Sequence, residues 1–413
     1  MEYGLIGEKL GHSFSREVHA RLAPYQYELR ELAPDEVGPF LLARDFRAIN
    51  VTIPYKKDVI PYLDHVDPMA LSIGAVNTVV NRGGELWGYN TDYYGMQYLI
   101  TSLGFDPRGK KVLIAGTGGT SLTAVALLTE MGAREVLRLS RTPKGDSISY
   151  EEAYLHHADA ACLVNCTPVG MYPRCDGMPV DLERLPSLEA VVDAVYRPIR
   201  TRLVLAARAR GIAATGGTGM LVAQAVRAAE HFLDATFPSA RIDAIVDELE
   251  REKEHIILIG MPACGKSTVG RLIAEQTGRA FFDIDAEIVR RCGCDIPTIF
   301  SQKGERAFRE IEAEVLREVL FSTTGAVIAT GGGAPLREDN RAVMTGTGRI
   351  YLIDRSPALL VPTGDRPTAS TREAIAARYR ERYDVYRAAC DVRVDGDGDV
   401  LDVANQILKE HLL

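Results

Sequence analysis

Two stretches of this sequence decide its fold: residues 111–119 read KVLIAGTGG, and residues 256–268 read IILIGMPACGKST. Each is an apolar run that leads directly into a glycine-rich turn. A buried strand followed by such a turn and a helix presents backbone N–H groups, and the positive end of the helix dipole, to a phosphate. The sequence therefore predicts two separate phosphate loops in one α/β chain.

The two loops differ in the groups that accompany the glycines. The second loop has the full GxxxxGK[ST] spacing, and we expect its nucleotide-binding residues to be Gly260, Gly265, Lys266, Ser267 and Thr268. In that motif the lysine reaches the β- and γ-phosphates of ATP, and the hydroxyl binds Mg²⁺. The first loop, with Gly116, Gly118 and Gly119, lacks both groups and is typical of a dinucleotide site.

The end of the strand after the first loop indicates which dinucleotide binds. Dinucleotide-binding sheets usually carry an acidic residue there, which holds the ribose 2′-hydroxyl. Here the segment contains Arg141, Thr142 and Lys144 instead. Cations and a hydroxyl fit a 2′-phosphate, so we expect NADP(H) rather than NAD.

Composition excludes several classes of protein. The chain has 413 residues, 46% hydrophobic and 25% charged, with a net charge of −8, which gives no sign of a nucleic-acid or anionic-membrane partner. It has no apolar stretch approaching the ~18 residues of a membrane span, and its start lacks the pattern of a secretory signal. Seven scattered cysteines indicate reduced thiols, so we expect a cytoplasmic protein. The oligomeric state stays open.

Apolar runs alternate with helical patterns on both sides of a charge-dense segment, residues 247–254, which we interpret as the main boundary. The predicted strands are residues 112–115, 135–139, 161–165 and 191–195, then a strand from 256, and 281–283, 326–329 and 349–353. The predicted helices of the second half are residues 304–320, 371–389 and 400–411. This alternation is typical of parallel sheets.

Short polar motifs give the first half a family resemblance. They are HSFS at 12–15, NVTIPYK at 50–56, GAVNT at 74–78, GYNTD at 88–92, NCTPVGM at 165–171 and GMLVAQ at 219–224. In this order they make residues 1 to about 245 resemble shikimate dehydrogenase. Two departures are Arg16, where the family usually has proline, and Leu122, at a position that is often basic.

The resemblance implies roles for individual residues. Lys56 and Asp92 would form the catalytic pair, since a lysine ammonium that is oriented by a carboxylate can protonate the oxygen of a ketone that receives hydride. Tyr196 would lie near substrate and nicotinamide, and Gly219 near the cofactor. The residues that would hold the hydroxyls and carboxylate of 3-dehydroshikimate are Ser13, Ser15, Thr52, Asn77 and Gln224. Taken singly, such serines and asparagines are also common turn or capping residues.

A second set of motifs follows the second loop. It comprises FDID at 282–285, GERAFREIE at 304–312, GGG at 331–333, Arg366-Pro367, and Arg382 before Tyr386. Together they make residues 255–413 resemble shikimate kinase. The segment between Ser356 and Arg366 is shorter than the lid that this family usually has, which bears on the rate of phosphoryl transfer.

The resemblance again implies roles. Asp285 would accept the proton of the shikimate 3-hydroxyl, and Lys266 would act on the transferred phosphate. Asp283 would support Mg²⁺ together with Ser267. The remaining contacts would be Arg309 and Arg382 to the substrate carboxylate, Gly332 and Gly333 to the ring, and Arg366 to the γ-phosphate. Any single arginine here is also typical of a surface ion pair.

These observations predict a bifunctional α/β enzyme of the shikimate pathway. We expect a substrate lobe at residues 1–93, completed by 218–250, a Rossmann-like NADP lobe at 94–217, and a P-loop domain related to nucleoside monophosphate kinases at 251–413. The expected reactions are NADPH-dependent reduction of 3-dehydroshikimate and ATP-dependent phosphorylation of shikimate. Two alternatives stay open: a metabolite sensor with weakened catalysis, and a quinate/shikimate dehydrogenase fused to a kinase.

Overall fold

The computed structural model describes residues 1–11, 13–360 and 371–412. The chain forms two compact units. The first unit holds residues 1–197 and 201–249, and the second holds residues 198–200 and 250–413. The three residues 198–200 therefore pack with the second unit, although they lie inside the range that the sequence assigned to the dinucleotide lobe.

A mixed sheet forms the first lobe of the first unit. Its strands are β1 Tyr3–Gly7, β2 Tyr27–Glu31, β3 Ala48–Val51, β4 His65–Val66, β5 Thr78–Arg82 and β6 Glu85–Tyr89. Its helices are α1 Ser15–Leu22, α2 Val37–Ala43, α3 Pro68–Ile73 and α4 Asp92–Ser102. The strands lie in the order β2-β1-β3-β5-β6-β4. Gly83 and Gly84, both with positive φ, close the β5–β6 hairpin, because that tight turn favours residues without a Cβ atom.

An all-parallel sheet forms the second lobe of this unit. Its strands are β7 Lys111–Ala115, β8 Glu135–Ser140, β9 Ser147–Ser149, β10 Cys162–Asn165, β11 Ala190–Asp193 and β12 Ala213–Thr215. Its helices are α5 Gly119–Glu130, α6 Tyr150–His156 and α7 Arg202–Ala209. The next two helices, α8 Thr218–Leu233 and α9 Ala240–Lys253, pack against α1 of the first lobe. The strands lie in the order β12-β11-β10-β7-β8-β9. From β7 the chain adds β8 and β9 on one side and then β10, β11 and β12 on the other, so the order of strands reverses at β7. Ligands of such sheets bind outside the carboxyl ends of the strands at this reversal.

A five-stranded parallel sheet forms the second unit. Its strands are β13 His255–Ile259, β14 Phe281–Asp283, β15 Val327–Ala329, β16 Gly348–Asp354 and β17 Val392–Asp395. Its helices are α10 Lys266–Thr277, α11 Ile284–Cys292, α12 Ile296–Ser322, α13 Glu338–Thr347, α14 Arg372–Ala389 and α15 Val400–Leu412. The order β14-β15-β13-β16-β17 places β13 at the centre.

The central strands β7 and β13 are buried along their whole length. In β7, Val112 and Ile114 pack into one hydrophobic cluster, while Leu113 and Ala115 pack into another. Successive side chains of a strand point to opposite faces, so both faces of this sheet are covered. This burial explains why the two strands read as continuous apolar runs.

The predicted strands are present, with ends that differ by at most two residues, and the α/β fold class is confirmed. The predicted helix at 304–320 is part of the longer helix α12. Gly304 interrupts that helix, because its φ of 80° and ψ of 167° are not helical. The prediction therefore found the second segment of a kinked helix and missed the first.

Two findings concern the environment of the chain. All seven cysteines are free thiols. In the part of the chain that the structure describes, none of the helices combines the length and the apolar character needed to cross a bilayer. The thiols agree with the expectation of reduced cysteines.

Candidate active sites

Lys56 and Asp92 form an ion pair in the first unit. Lys56 lies in the loop after β3, and Asp92 is the first residue of α4. The Lys56 Nζ lies 2.5 Å from Asp92 Oδ2, and the two side chains are only 18% and 9% exposed. The Lys56 ammonium, a proton donor, thus contacts the Asp92 carboxylate in a site that is largely shielded from water.

Asn77 fixes the orientation of Asp92. Its Nδ2 donates to Asp92 Oδ1 at 2.8 Å, so both carboxylate oxygens of Asp92 have a donor. Its Oδ1 accepts from the backbone N–H of Thr91 at 2.8 Å, which settles the orientation of the amide. Asn77 therefore joins β5 to the start of α4, and its predicted contact with substrate stays a prediction.

Gln224 lies on α8 and faces α4, the helix that begins with Asp92. A Cβ atom at Gly95 would lie 3.1 Å from Gln224 Cβ, so Gln224 faces α4 one turn after Asp92. The Gln224 amide nitrogen donates to the Leu221 carbonyl at 2.8 Å. Gly219 presses against the side chains of Tyr98 and Leu99, so close helix packing explains this glycine. Its predicted contact with the cofactor stays a prediction.

The other predicted substrate residues lie at the edge of the first lobe and beside α8. Ser13 donates through its hydroxyl to Ser15 Oγ at 3.0 Å, and Thr52 is half-buried just after β3. The ring of Tyr196 packs against Phe14, with centroids 5.5 Å apart. Ser13 and Ser15 are thus hydrogen-bonded to each other, whereas Lys56, Asn77 and Asp92 form the hydrogen-bonded cluster described above.

The glycine-rich loop after β7 allows other groups to approach its backbone closely. Gly116 has a φ of 110°, and a Cβ atom there would lie 3.2 Å from the Cys166 carbonyl. Gly118 caps α5, and a Cβ atom at Gly118 or Gly119 would meet no atom within 4 Å. The N-terminus of α5 is thus open to a phosphate, as dinucleotide sites require.

The basic segment after β8 is exposed at Arg141, Thr142 and Lys144. Ser140 shapes it, because its hydroxyl accepts from the Thr142 N–H at 3.1 Å and donates to the Thr142 carbonyl at 3.0 Å. The segment follows the strand next to β7, which is where an adenosine ribose lies in such folds. Both cations can therefore reach a phosphate at that position.

Asp193 was missed by sequence reasoning. It ends β11 and accepts from Asn165 Nδ2 at 2.9 Å, from the Val195 N–H at 3.0 Å and from the Thr201 hydroxyl at 2.6 Å. Burial raises the pKa of Asp193 to about 6, although these three donors oppose that shift. The carboxyl group joins the loop that follows β10 to the loop that carries Tyr196.

The loop after β13 has the geometry of a phosphate loop. Gly260 and Gly265 have φ angles of 145° and 96°, and Lys266 begins α10. The Lys266 Nζ donates to the carbonyls of Gly260 and Met261, each at 3.0 Å. The ammonium group therefore lies inside the loop, where it would meet a bound phosphate. Thr268 is exposed on α10.

Asp283 connects this loop to α11. Its Oδ2 accepts from the Ser267 hydroxyl at 2.5 Å, and its Oδ1 accepts from the Asp285 N–H at 3.1 Å as the N-cap of α11. A hydroxyl and a carboxylate in contact, at the ends of two strands of one sheet, are a suitable pair for Mg²⁺ and its water ligands. Among the described residues, no cluster of three or more metal-binding side chains is present, so such an ion would depend on nucleotide oxygens as well.

The three glycines after β15 each contact a different functional group. A Cβ atom at Gly331 would overlap Glu312 Oε1 and would lie 2.9 Å from Asp285 Oδ1. One at Gly333 would overlap the Arg309 guanidinium, and one at Gly332 would lie 3.0 Å from Pro262. The residues 331–333, here named the glycine turn, thus bring Asp285, Arg309 and the phosphate loop together.

Glu312 is a second residue that sequence reasoning left without a role. It is fully buried, and its Oε2 accepts from Arg309 Nη1 at 2.8 Å. Burial raises the pKa of Glu312, Arg309 opposes this shift, and the Asp285 carboxylate adds to it. Its position three residues after Arg309 on a helix was the available signal. The pair holds Arg309 against the glycine turn.

Arg382 reaches the glycine turn from α14. It is 4% exposed, and its Nη1 donates to the Gly332 carbonyl at 3.3 Å. Arg309 and Arg382 therefore both flank the glycine turn, and their expected role as a clamp for the substrate carboxylate stays a prediction. Arg366 and most of the short lid lie outside the described residues.

Both halves of the chain match known protein families. Residues 5–79 match the family model of the shikimate dehydrogenase substrate binding domain. The shikimate dehydrogenase (NADP(+)) of Geobacillus kaustophilus is 39% identical over 250 residues, which cover 55% of this chain and 91% of that protein. The chain belongs to the shikimate dehydrogenase family. In addition, residues 262–411 match the family model of shikimate kinase, so the enzyme carries a shikimate kinase domain after the dehydrogenase unit.

Two solved structures resemble the dehydrogenase unit. Shikimate 5-dehydrogenase from Thermus thermophilus, in complex with NADP(H) and shikimate, is 29% identical with a TM-score of 0.55, over 60% of this chain and 99% of that one. Quinate dehydrogenase from Corynebacterium glutamicum, in complex with NAD, is 27% identical with a TM-score of 0.53, over 59% and 98%. Enzymes named shikimate dehydrogenase and quinate dehydrogenase thus share the two-lobe dehydrogenase fold.

The first prediction concerns Ala263 in the phosphate loop, which has a φ of 67° although it is not glycine. This left-handed conformation costs an L-residue about 1 kcal/mol. We expect Ala263→Gly to raise the free energy of unfolding of the kinase domain by about 0.5–1 kcal/mol in urea titrations. Ala274→Gly, within α10, should lower it instead. A loss of stability in Ala263→Gly would contradict this account.

The second prediction concerns Gly333. In Gly333→Ala the new methyl group displaces the Arg309 guanidinium, which leaves the buried Glu312 without its cation. We expect the kinase domain to lose about 3 kcal/mol in the same titrations. The control is Gly398→Ala, where the nearest atom to the new Cβ would be 3.5 Å away. Equal, small effects of the two substitutions would refute the close contact.

Proposed function

We propose that the enzyme reduces 3-dehydroshikimate to shikimate with NADPH and phosphorylates shikimate at its 3-hydroxyl with ATP. The observation that carries this proposal is that each of the two units combines a phosphate loop with a group whose chemistry suits proton transfer. One is the Lys56–Asp92 pair, and the other is Asp285 at the glycine turn. The product of the first reaction is the acceptor of the second, which gives the fusion a chemical logic within aromatic amino acid biosynthesis.

In the reductase, Lys56 is the proton donor. Bound NADPH supplies the hydride for the carbonyl carbon of the substrate. As negative charge develops on the carbonyl oxygen, the Lys56 ammonium stabilises it and transfers a proton, so that the ketone becomes an alcohol. Asp92, held on both oxygens, keeps the ammonium directed at one point. Ser13, Ser15, Thr52, Asn77 and Gln224 are the proposed contacts of the ring hydroxyls and carboxylate, with Tyr196 beside them.

The first unit fits NADP(H) in two places. Gly116, Gly118 and Gly119 leave the N-terminus of α5 approachable for the pyrophosphate, and the exposed cations Arg141 and Lys144 suit a 2′-phosphate. The family resemblance adds Thr142 and Gly219. These cations argue against the alternative in which the unit oxidises quinate with NAD, despite its likeness to a quinate dehydrogenase.

In the kinase, Asp285 is the proposed base and the phosphate loop holds the nucleotide. Bound ATP with Mg²⁺ supplies the activated phosphoryl group. Lys266 neutralises charge on the transferred phosphate, Ser267 and Asp283 hold the metal, and Asp285 accepts the proton of the attacking hydroxyl. Arg309 and Arg382 bind the acceptor carboxylate, while Gly332 and Gly333 let the ring approach the backbone. Arg366 is proposed by resemblance alone.

The alternative of a metabolite sensor is less well supported. A protein that only binds these ligands has no need of a shielded Lys56–Asp92 pair at 2.5 Å. It likewise has no need of a carboxylate at the point where the glycine turn admits an acceptor. Turnover by the purified chain decides between sensing and catalysis.

The third prediction separates the two activities. Lys56→Ala should lower the reduction of 3-dehydroshikimate by about 10²–10⁴-fold and leave shikimate-dependent ADP formation near normal. Lys266→Ala should do the reverse. The assays follow NADPH absorbance and coupled ADP release. The exposed lysines Lys57 and Lys303 are controls, and their alanine variants should retain both activities. Full turnover in the double variant of Lys56 and Lys266 would refute the assignments.

The fourth prediction concerns cofactor choice. Arg141→Ala removes a charge-assisted contact with the 2′-phosphate, so KM for NADPH should rise about 10-fold or more while KM for NADH stays nearly unchanged. Arg134→Ala, at the opposite end of β8, should change neither value. Steady-state kinetics with both cofactors measure the effect. A parallel rise of both KM values would show that Arg141 does not contact the 2′-phosphate.

A further inference from the structure

Tyr386 is a buried residue of α14 for which the proposed mechanism has no role. Its side chain is fully buried, and its hydroxyl donates to the Gly332 carbonyl in a short hydrogen bond. Burial raises the pKa of Tyr386 to about 12, so the phenol is a neutral donor at physiological pH. A hydroxyl that is anchored on the middle residue of the glycine turn sets the position of that residue.

The same carbonyl also accepts from Arg382. Its contact with Arg382 Nη1, at 3.3 Å, is long for a hydrogen bond, whereas the contact with Tyr386 is short. In addition, Arg382 Nε has no hydrogen-bond partner among the described residues. The Gly332 carbonyl therefore has the Tyr386 hydroxyl as its closer donor, and Arg382 Nε stays available to another acceptor.

We propose that Tyr386 is a positioning residue of the acceptor pocket. Its hydroxyl satisfies the Gly332 carbonyl and thereby keeps the contact of Arg382 with that carbonyl long, so that the guanidinium can turn to an acceptor carboxylate. The inference deepens the proposed kinase function and rests on it. It adds to that function a residue that touches neither nucleotide nor acceptor.

Loss of the hydroxyl has two physical consequences. A buried carbonyl that loses its main donor draws in the nearest remaining one, which is Arg382 Nη1. The glycine turn is also released on one side, while Gly331 and Gly333 stay packed closely beside Glu312 and Arg309. Both effects weaken the binding of the acceptor carboxylate. Neither touches Lys266 or Ser267.

The fifth prediction is the kinetic test with Tyr386→Phe, which keeps the ring and removes one oxygen atom. KM for shikimate should rise about 10-fold, with kcat within about twofold of the wild type and KM for ATP unchanged. The matched control is Tyr383→Phe on the same helix, because the Tyr383 hydroxyl donates to Asp354 at 2.9 Å and not to the glycine turn. An unchanged KM for shikimate in Tyr386→Phe, or an equal rise in the control, would overturn the inference.

A double-mutant cycle tests whether Tyr386 acts through Arg382. In an Arg382→Lys background, the substitution Tyr386→Phe should raise KM for shikimate by less than about twofold, because the guanidinium is already absent. Additive effects of the two substitutions would show that Tyr386 acts independently of Arg382. They would overturn this part of the inference.

Hydrogen exchange of the free protein gives a readout that needs no activity. The N–H groups of Ala334 and Leu336 donate to the carbonyls of Gly331 and Gly333, each at 3.1 Å, and report on the glycine turn. Their exchange should become faster in Tyr386→Phe and stay at the wild-type rate in Tyr383→Phe. Wild-type exchange in Tyr386→Phe overturns the inference. Faster exchange in Tyr386→Phe, together with no shikimate-dependent ADP formation by the wild-type chain, would refute the proposed kinase function and leave only the effect of Tyr386 on the glycine turn.

Discussion

Both units depend on one constraint: bare backbone must come within contact distance of neighbouring groups where a buried parallel strand ends. In the first unit this happens after β7, where Gly116 leaves room for the neighbouring loop. In the second it happens after β13 and β15, at Gly260 and the glycine turn. Burial of these strands on both faces makes their ends rigid platforms, so short loops can hold lysines and carboxylates at fixed positions.

Much of this architecture could be predicted because the relevant signals are local in sequence. A buried strand followed by glycines identifies a phosphate loop without knowledge of the rest of the fold. The spacing of Lys266 and Ser267 within that loop, and the cations at Arg141 and Lys144, follow from chemistry that acts over a few residues. Lys56 and Asp92 lie 36 positions apart and were paired only through family resemblance, yet the structure joins them at 2.5 Å.

Asp193 and Tyr386, two residues to which sequence reasoning gave no role, have partners that lie farther away in the chain. Asp193 accepts hydrogen bonds from Asn165 and Thr201, and Tyr386 donates one to a carbonyl 54 positions away. Nothing in the immediate surroundings of either residue indicates these partners. The segment of α12 before Gly304 was missed because the predicted helix began at that glycine. The left-handed conformation of Ala263 is one that alanine seldom adopts, so the phosphate loop imposes it and the local sequence does not predict it.

The glycine turn also limits how this enzyme could escape inhibition. A molecule that fills the acceptor pocket by lying flat on residues 331–333 touches main chain rather than side chains. At two of the three positions any larger residue would overlap a buried carboxylate or the Arg309 guanidinium, and at the third it would crowd the phosphate loop. Resistance substitutions at these positions would therefore damage the site itself, which makes the turn a durable surface for ligand design.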